Sequence, residues 1–313
     1  MPSTISSNVR ERRLMRLSVV SNCPIPGAKQ IRGHDFWEFK TEELPKRAIF
    51  LFFAAFHYYR SMLQSIKSLI PLKLKINLYY QMIRLRGAFD KGNNVECNIC
   101  GSHFSRFSDF GSRPSVLCPT CFSLERHRLQ FAYLTQHSGI FTDALKVLHF
   151  APEKCLHEKI SQNKKLEYET ADLLIQFIDI IEVKPKHQMS ITDIKFPDNH
   201  FDIILCNHVL EHVPDDKKAM TELLRVLKPG GFGILQVPIN LKSDEIQEDM
   251  SLSTADRAKY YGSPDHLRFY AEKGYMQRLR EAGFQVEANP FVKSLDMDRL
   301  CLMKTENLII VRK

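Results

Sequence analysis

The sequence predicts an α/β fold whose mostly parallel, doubly wound sheet occupies residues 138–313, behind a helical N-terminal region and a small cysteine module. Three observations carry this reading. From residue 144 onward, short apolar runs alternate with helical patterns, as strands buried on both faces and joined by helical crossovers require. Cys97-Asn-Ile-Cys100 and Cys118-Pro-Thr-Cys121 form two C-x2-C pairs separated by 17 residues, the spacing of a four-thiolate zinc site. Length and composition (313 residues, 44% hydrophobic, 26% charged) allow one sizeable core plus a smaller module and exclude wholesale disorder.

Residues 1–41 mix Arg, Ser, Pro and Gly without periodicity, which predicts a flexible basic leader. Residues 1–92 hold 16 Lys/Arg against 6 Asp/Glu, although the whole chain is only +8. The basic excess therefore belongs to the N-terminal third, where it suits nucleic acid, anionic lipid or an acidic glycan, or is simply solvated. Residues 42–92 read as a helical region divided at Pro71. Leu74, Leu78, Met82 and Leu85 recur at spacings of three and four. That fits either a helix packed on its own domain or an interfacial helix in peripheral membrane contact. The apolar run Ala48–Tyr59 makes only ~18 Å of helix, short of a ~30 Å bilayer core. Residues 1–20 carry four Arg and lack an apolar stretch followed by a small-residue cleavage site, so no secretory signal is expected. Cys23, Cys155, Cys206 and Cys301 stand singly and do not frame a disulfide scaffold, so a cytoplasmic location is expected.

Residues 93–137 read as a zinc ribbon and a linking helix. Two residues between thiolates let a tight knuckle aim both sulfurs at one ion, and Gly101 suits the exit of that turn. Cys97, Cys100, Cys118 and Cys121 complete a tetrahedral shell, so the zinc is expected to be structural. A redox dithiol needs a low-pKa thiol in a thioredoxin-like context, and none is visible. The linking helix runs from Ser123 to His137. On it Arg126, His127 and Arg128 fan over different faces, reaching toward an active site or an anionic acceptor, or remaining as surface charge.

Strand candidates follow at 146–151, 166–173, 201–208 and 232–239, with helices at 154–161 and 213–231, the latter stopped by Pro229-Gly230-Gly231. The order of these elements, and above all DIKFPDNHFDIILCNHVLEHVPDD and LLRVLKPGGFGILQVP, resembles the class I S-adenosylmethionine-dependent methyltransferase superfamily, in particular bacterial methyltransferase-domain proteins with an N-terminal zinc ribbon. The resemblance spans roughly residues 95–290 and implies a Rossmann-like domain that binds S-adenosyl-L-methionine. It places the donor loop at His149, Phe150, Ala151, Pro152 and Glu153. Asp172, ending the second strand, would accept from the ribose diol, Asp193 from the adenine amine, and Ile194 would pack on the ring. Asn207 and His208 end the fourth strand, where open α/β sheets bind ligands. The loop departs from the family's G-x-G pattern: Ala151 is small enough for close approach, while Pro152 fixes the turn and removes one N–H.

For the acceptor side, His208 and His212 are candidate general bases, as are Asp265 and His266 in the loop that follows Pro238. Tyr261 and Arg268 are candidate substrate contacts, Arg268 through its planar fork. The favoured acceptor is a sugar, glycan or other small molecule. Three alternatives stand: an RNA methyltransferase using the ribbon and basic N-terminus, a non-catalytic zinc-binding scaffold with a degenerate donor loop, and a zinc hydrolase built on His208-Val-Leu-Glu211-His212. Against the hydrolase, Asn207-His208 continues an apolar strand and Pro214 follows closely.

Overall fold

Alternate residues along each central strand go to opposite faces of one sheet. Val147, Ile203, Leu205 and Ile234 join one buried cluster, while Leu148, Phe150, Ile204, Cys206 and Leu235 join a second. Both faces are apolar because both are covered, which is why these strands read as continuous hydrophobic runs. The computed structural model describes residues 71–173 and 183–313, together with three short strand segments nearer the N-terminus.

The sheet has seven strands: β1 (Lys146–Phe150), β2 (Glu167–Asp172), β3 (His187–Gln188), β4 (Phe201–Asn207), β5 (Leu227–Gln236), β6 (Gln285–Asn289) and β7 (Leu308–Arg312). Their order is β3-β2-β1-β4-β5-β7-β6. The first five run parallel, and β7 is antiparallel to both β5 and β6. The order reverses between β1 and β4, which pair directly, and the crevice beyond their carboxyl ends is the ligand position such a switch creates. The Rossmann-like class is thereby observed. The helices are α1 (Leu72–Phe89), α2 (Glu125–His137), α3 (Lys154–Ile160), α4 (Asp216–Val226), α5 (Thr254–Tyr261) and α6 (Glu272–Glu281). Asp215 caps α4, its carboxylate accepting from the Lys218 N–H at 3.0 Å. The expected helix to residue 231 stops at Val226 instead. Pro229 cannot donate to a helix, and Gly230 turns left-handed (φ +78°) inside the entry of β5.

Residues 1–71 and 72–313 are separate compact units. In the first, Met15–Ser18, Ala28–Gln30 and Phe36–Phe39 form an antiparallel sheet, where composition suggested an irregular leader; the aromatic run Phe36-Trp37-Glu38-Phe39 is good strand sequence. The helix expected over 42–70, with its apolar run 48–59, lies outside the described residues. In the second unit α1 exposes Leu74, Leu78, Met82 and Leu85, so this stripe is not packed on its own domain. Among the described residues, no helix is long and apolar enough to cross a membrane.

Candidate active site

At the tip of β1 the chain turns through Ala151 in the left-handed region (φ +47°), and the Ala151 N–H donates to Ala171 O on β2 at 2.9 Å. Left-handed backbone is glycine's territory, so alanine holds here the conformation that the glycine of a G-x-G loop supplies elsewhere. Ala151, Pro152, Glu153 and Asp172 line one cavity of about 300 Å³, whose opposite wall comes from the cysteine module (Cys121 and Phe122). Glu153 is fixed from behind. His149, fully buried, lies with Nε2 2.9 Å from Glu153 Oε2, and its Nδ1 is 2.9 Å from the Tyr168 hydroxyl. An ionised carboxylate can only accept, so Nε2–H donates to it and the tyrosine donates to Nδ1. Burial pushes the Glu153 carboxyl up, but the hydrogen bond it accepts from His149 outweighs this, and the carboxyl comes down to about 2.

A second cavity, of about 250 Å³, opens beyond β4 and β5 and is lined by His208, Gln236, Pro238, Phe269, Glu272 and Glu306, with Arg126 at its edge. Arg126 also lines the first cavity, and its Nε is buried without a hydrogen-bond partner. His208 adopts φ +53°, so the strand ends in a sharp turn that carries its imidazole into the cleft. Burial raises the Glu306 carboxyl above its ordinary range. Glu306 was not legible as a site residue, since it sits in no motif and arrives by tertiary packing; Arg126, expected to reach an active site or an anionic acceptor or to remain surface charge, lines both cavities. A larger cavity of about 660 Å³ between α1 and the cysteine knuckles includes no residue of the seven-stranded sheet.

Several expected contacts are placed elsewhere. Asn207 is buried and exchanges two 2.9 Å hydrogen bonds with Gln130, so its amide is spent on orienting β4 against α2. His149 and Phe150 lie behind the cavity wall. Asp193 is exposed and ion-paired with Lys195, while Ile194 is buried in the core and its N–H donates to Glu222 at 2.8 Å. Neither is in the lining of the cavity that Asp172 reaches. Tyr261 is buried. Arg268 is completely buried and is no substrate fork: it donates to Glu248 (2.6 and 2.9 Å), Leu210 O (2.9 Å), Val213 O (2.5 Å) and Pro214 O (3.0 Å). A cation without solvent needs such partners; the three carbonyl bonds clamp the turn after β4, and Glu248 balances the charge. The H-x-x-E-H string is not helical either. His208 follows the last residue of β4, and Leu210–His212 is one 3-10 turn, so the i, i+4 helical face needed for that hydrolase motif does not form.

In the cysteine module all four Sγ atoms lie within 4.8 Å of one another, with Cys97–Cys121 at 3.5 Å and Cys100–Cys118 at 3.7 Å. Sulfurs bound to one tetrahedral ion at ~2.3 Å lie about 3.8 Å apart, so the four cysteines fit zinc. The Gly101 N–H donates to Cys97 O at 2.8 Å and Phe122 N–H to Cys118 O at 2.9 Å. Both turn exits are left-handed (φ +72° and +58°). Phe122 holds this conformation without being glycine, and its ring packs against Tyr80 with centroids 4.4 Å apart. Arg128 ties the module to the C-terminal segment. Fully buried, it donates to Val116 O, Ser123 O, Leu300 O and Cys301 O at 2.7–3.1 Å and lies 4.5 Å over the Phe107 ring. Three consecutive residues thus serve three sites: Arg126 the cavities, His127 the wall near Glu153, and Arg128 the staple.

Residues 151–235 match the family model described as methyltransferase domain, beginning at the left-handed Ala151. This stretch, less than a third of the chain, is similar to a methyltransferase domain. The ubiquinone/menaquinone biosynthesis C-methyltransferase UbiE of Shewanella halifaxensis is 34% identical over 103 residues, covering 29% of this chain and 41% of that protein. The uncharacterized methyltransferase C1B3.06c of Schizosaccharomyces pombe is 36% identical over 78 residues, covering 24% of this chain and 28% of that protein. This chain therefore spans less than half the length of these relatives. A solved S-adenosylmethionine-dependent methyltransferase from Archaeoglobus fulgidus is 16% identical, with a TM-score of 0.40 over 59% of this chain and 93% of that one.

Proposed function

We propose that this chain transfers the methyl group of S-adenosyl-L-methionine to a small-molecule or glycan acceptor, and that its four cysteines hold one structural zinc ion. The observation that carries the reading is the cavity at the carboxyl ends of β1 and β2, lined by left-handed Ala151 and by Asp172. S-adenosylmethionine, when bound, supplies a methyl group made electrophilic by the sulfonium. Asp172 would accept from the two ribose hydroxyls, and the small Ala151 side chain would let the backbone approach. The acceptor would enter the second cavity, where His208 and Glu306 are positioned to take its proton and Arg126 bridges both cavities. The Shewanella relative is named as a C-methyltransferase of ubiquinone/menaquinone biosynthesis, which supports a small-molecule acceptor over RNA.

Calorimetric titration with S-adenosylmethionine and S-adenosylhomocysteine tests the donor site. Binding of both is expected, with Asp172→Ala weakening affinity about tenfold, the equivalent of ~1.4 kcal/mol, at unchanged zinc content. Absence of binding to either ligand by the folded protein refutes the reading. Steeply salt-dependent RNA binding in its place would favour the nucleic-acid alternative.

A further inference from the structure

We infer a second metal site, for a divalent first-row transition ion, formed by Glu211, His212 and His266. One carboxylate oxygen of Glu211 and one ring nitrogen from each histidine lie within 4.8 Å of one another. Glu211 is 1% exposed, yet neither of its carboxylate oxygens has a hydrogen-bond partner. A carboxylate buried in that state is costly unless a cation compensates it. Nearby nitrogens are present but not engaged as donors: His208 Nδ1 stands 3.3 Å and His212 Nε2 4.0 Å from Glu211 Oε1.

The two histidines are oriented as ligands. His266 Nδ1 is 2.8 Å from Tyr261 O, and His212 Nδ1 is 3.3 Å from both Asp265 O and Asp265 Oδ2. A carbonyl only accepts, so each ring carries its proton on Nδ1 and keeps the Nε2 lone pair for an ion, the outer-shell pattern that fixes metal-binding histidines. Their rings meet edge to face, with centroids 4.8 Å apart. The scaffold is firm. Leu267 N–H donates to Glu211 O at 2.8 Å, and buried Arg268 clamps the same turn from below. Ligands on a four-coordinate ion at ~2.1 Å stand about 3.4 Å apart, so binding draws the three side chains inward by about an ångström. Two imidazoles and one carboxylate favour zinc, cobalt, iron or nickel over magnesium or calcium, and they leave positions open to solvent or an acceptor. This set differs from the H-x-x-E-H string, because His266 comes from a loop more than fifty residues away. It also stands independently of methyl transfer.

The test is titration of the zinc-loaded full chain with Co²⁺, read by visible absorption. One equivalent should give weak ligand-field bands without sulfur-to-cobalt charge transfer, which separates this site from the cysteines. His266→Gln and Glu211→Gln should each lower Co²⁺ affinity at least tenfold. Asp265→Asn, which alters the carboxylate facing His212 Nδ1 and leaves all three ligands in place, should lower it about tenfold. Cys118→Ala should leave these bands in place. No ligand-field band at tenfold excess of Co²⁺, or bands indifferent to both ligand substitutions in folded protein, would overturn the assignment. So would absence of Co²⁺ binding together with loss of stability in His208→Gln, which would mean that protonated His208 compensates Glu211.

Discussion

Replacing Ala151 by glycine isolates the backbone conformation on which the donor loop depends. Glycine in place of alanine ordinarily costs about 0.5–1 kcal/mol, because the unfolded chain gains freedom. At Ala151 the native φ is +47°, and a left-handed alanine carries about 1–2 kcal/mol of strain that glycine does not. The second effect is the larger, so Ala151→Gly should raise stability by up to about 1.5 kcal/mol, the limit set by these two costs. Ala255→Gly in α5, an exposed helical position, is the matched control and should lose about 0.5–1 kcal/mol. Ala151→Val, β-branched in the same conformation, should lose about 1–3 kcal/mol and weaken binding of S-adenosylmethionine by narrowing the cavity. Urea midpoints of the three variants decide the matter. If Ala151→Gly destabilises as much as Ala255→Gly, the loop is not left-handed at this residue and its equivalence to a glycine turn fails.

Three further outcomes follow from buried groups. Arg128→Met strands four carbonyls, Val116 O, Ser123 O, Leu300 O and Cys301 O, and should cost about 3 kcal/mol or more in urea unfolding; an unchanged midpoint would remove its role as a staple. Cys118→Ala, or prolonged chelation, should release one equivalent of zinc and lower Tm, as measured by elemental analysis and calorimetry. Burial, with the charge of Arg126, holds the His127 imidazole down at about 3, and its Nδ1 already accepts the Leu124 N–H at 3.2 Å. The unfolded chain takes up a proton near pH 6.5 that folded His127 refuses, so stability should fall as pH drops from 6.5 toward 3. His127→Asn keeps an acceptor for Leu124 and should flatten that slope above pH 4.5; an unaltered slope there would assign it to other groups. Glu153, depressed to about 2, adds its own loss only below its ordinary range near 4.5, as it is protonated.

Local sequence determined what local physics can specify. Apolar runs such as Phe201–Asn207 marked buried strands, and the C-x2-C spacing placed four thiols within reach of one ion. The turn at Pro229-Gly230-Gly231 was legible as a stop, although the structure assigns it to the start of β5 rather than to the end of a helix. Single-residue roles were less legible, because they depend on which side chain wins each partner. Asn207 looks available at a strand end until Gln130 pairs with both ends of its amide. Arg268 looks like a substrate fork until Glu248 and three carbonyls surround it. Left-handed Ala151 carries no compositional mark, since its strain is imposed by the pairing with Ala171. Arg126 and Glu306, 180 positions apart in sequence, meet at one cavity only through the packing of α2 and the C-terminal segment on the sheet. Periodicity and spacing are properties of neighbours along the chain, so sequence alone sufficed for the fold class and the cysteine module. Desolvation, hydrogen-bond competition and charge pairing are properties of neighbours in space, and these decided which residues face the cleft.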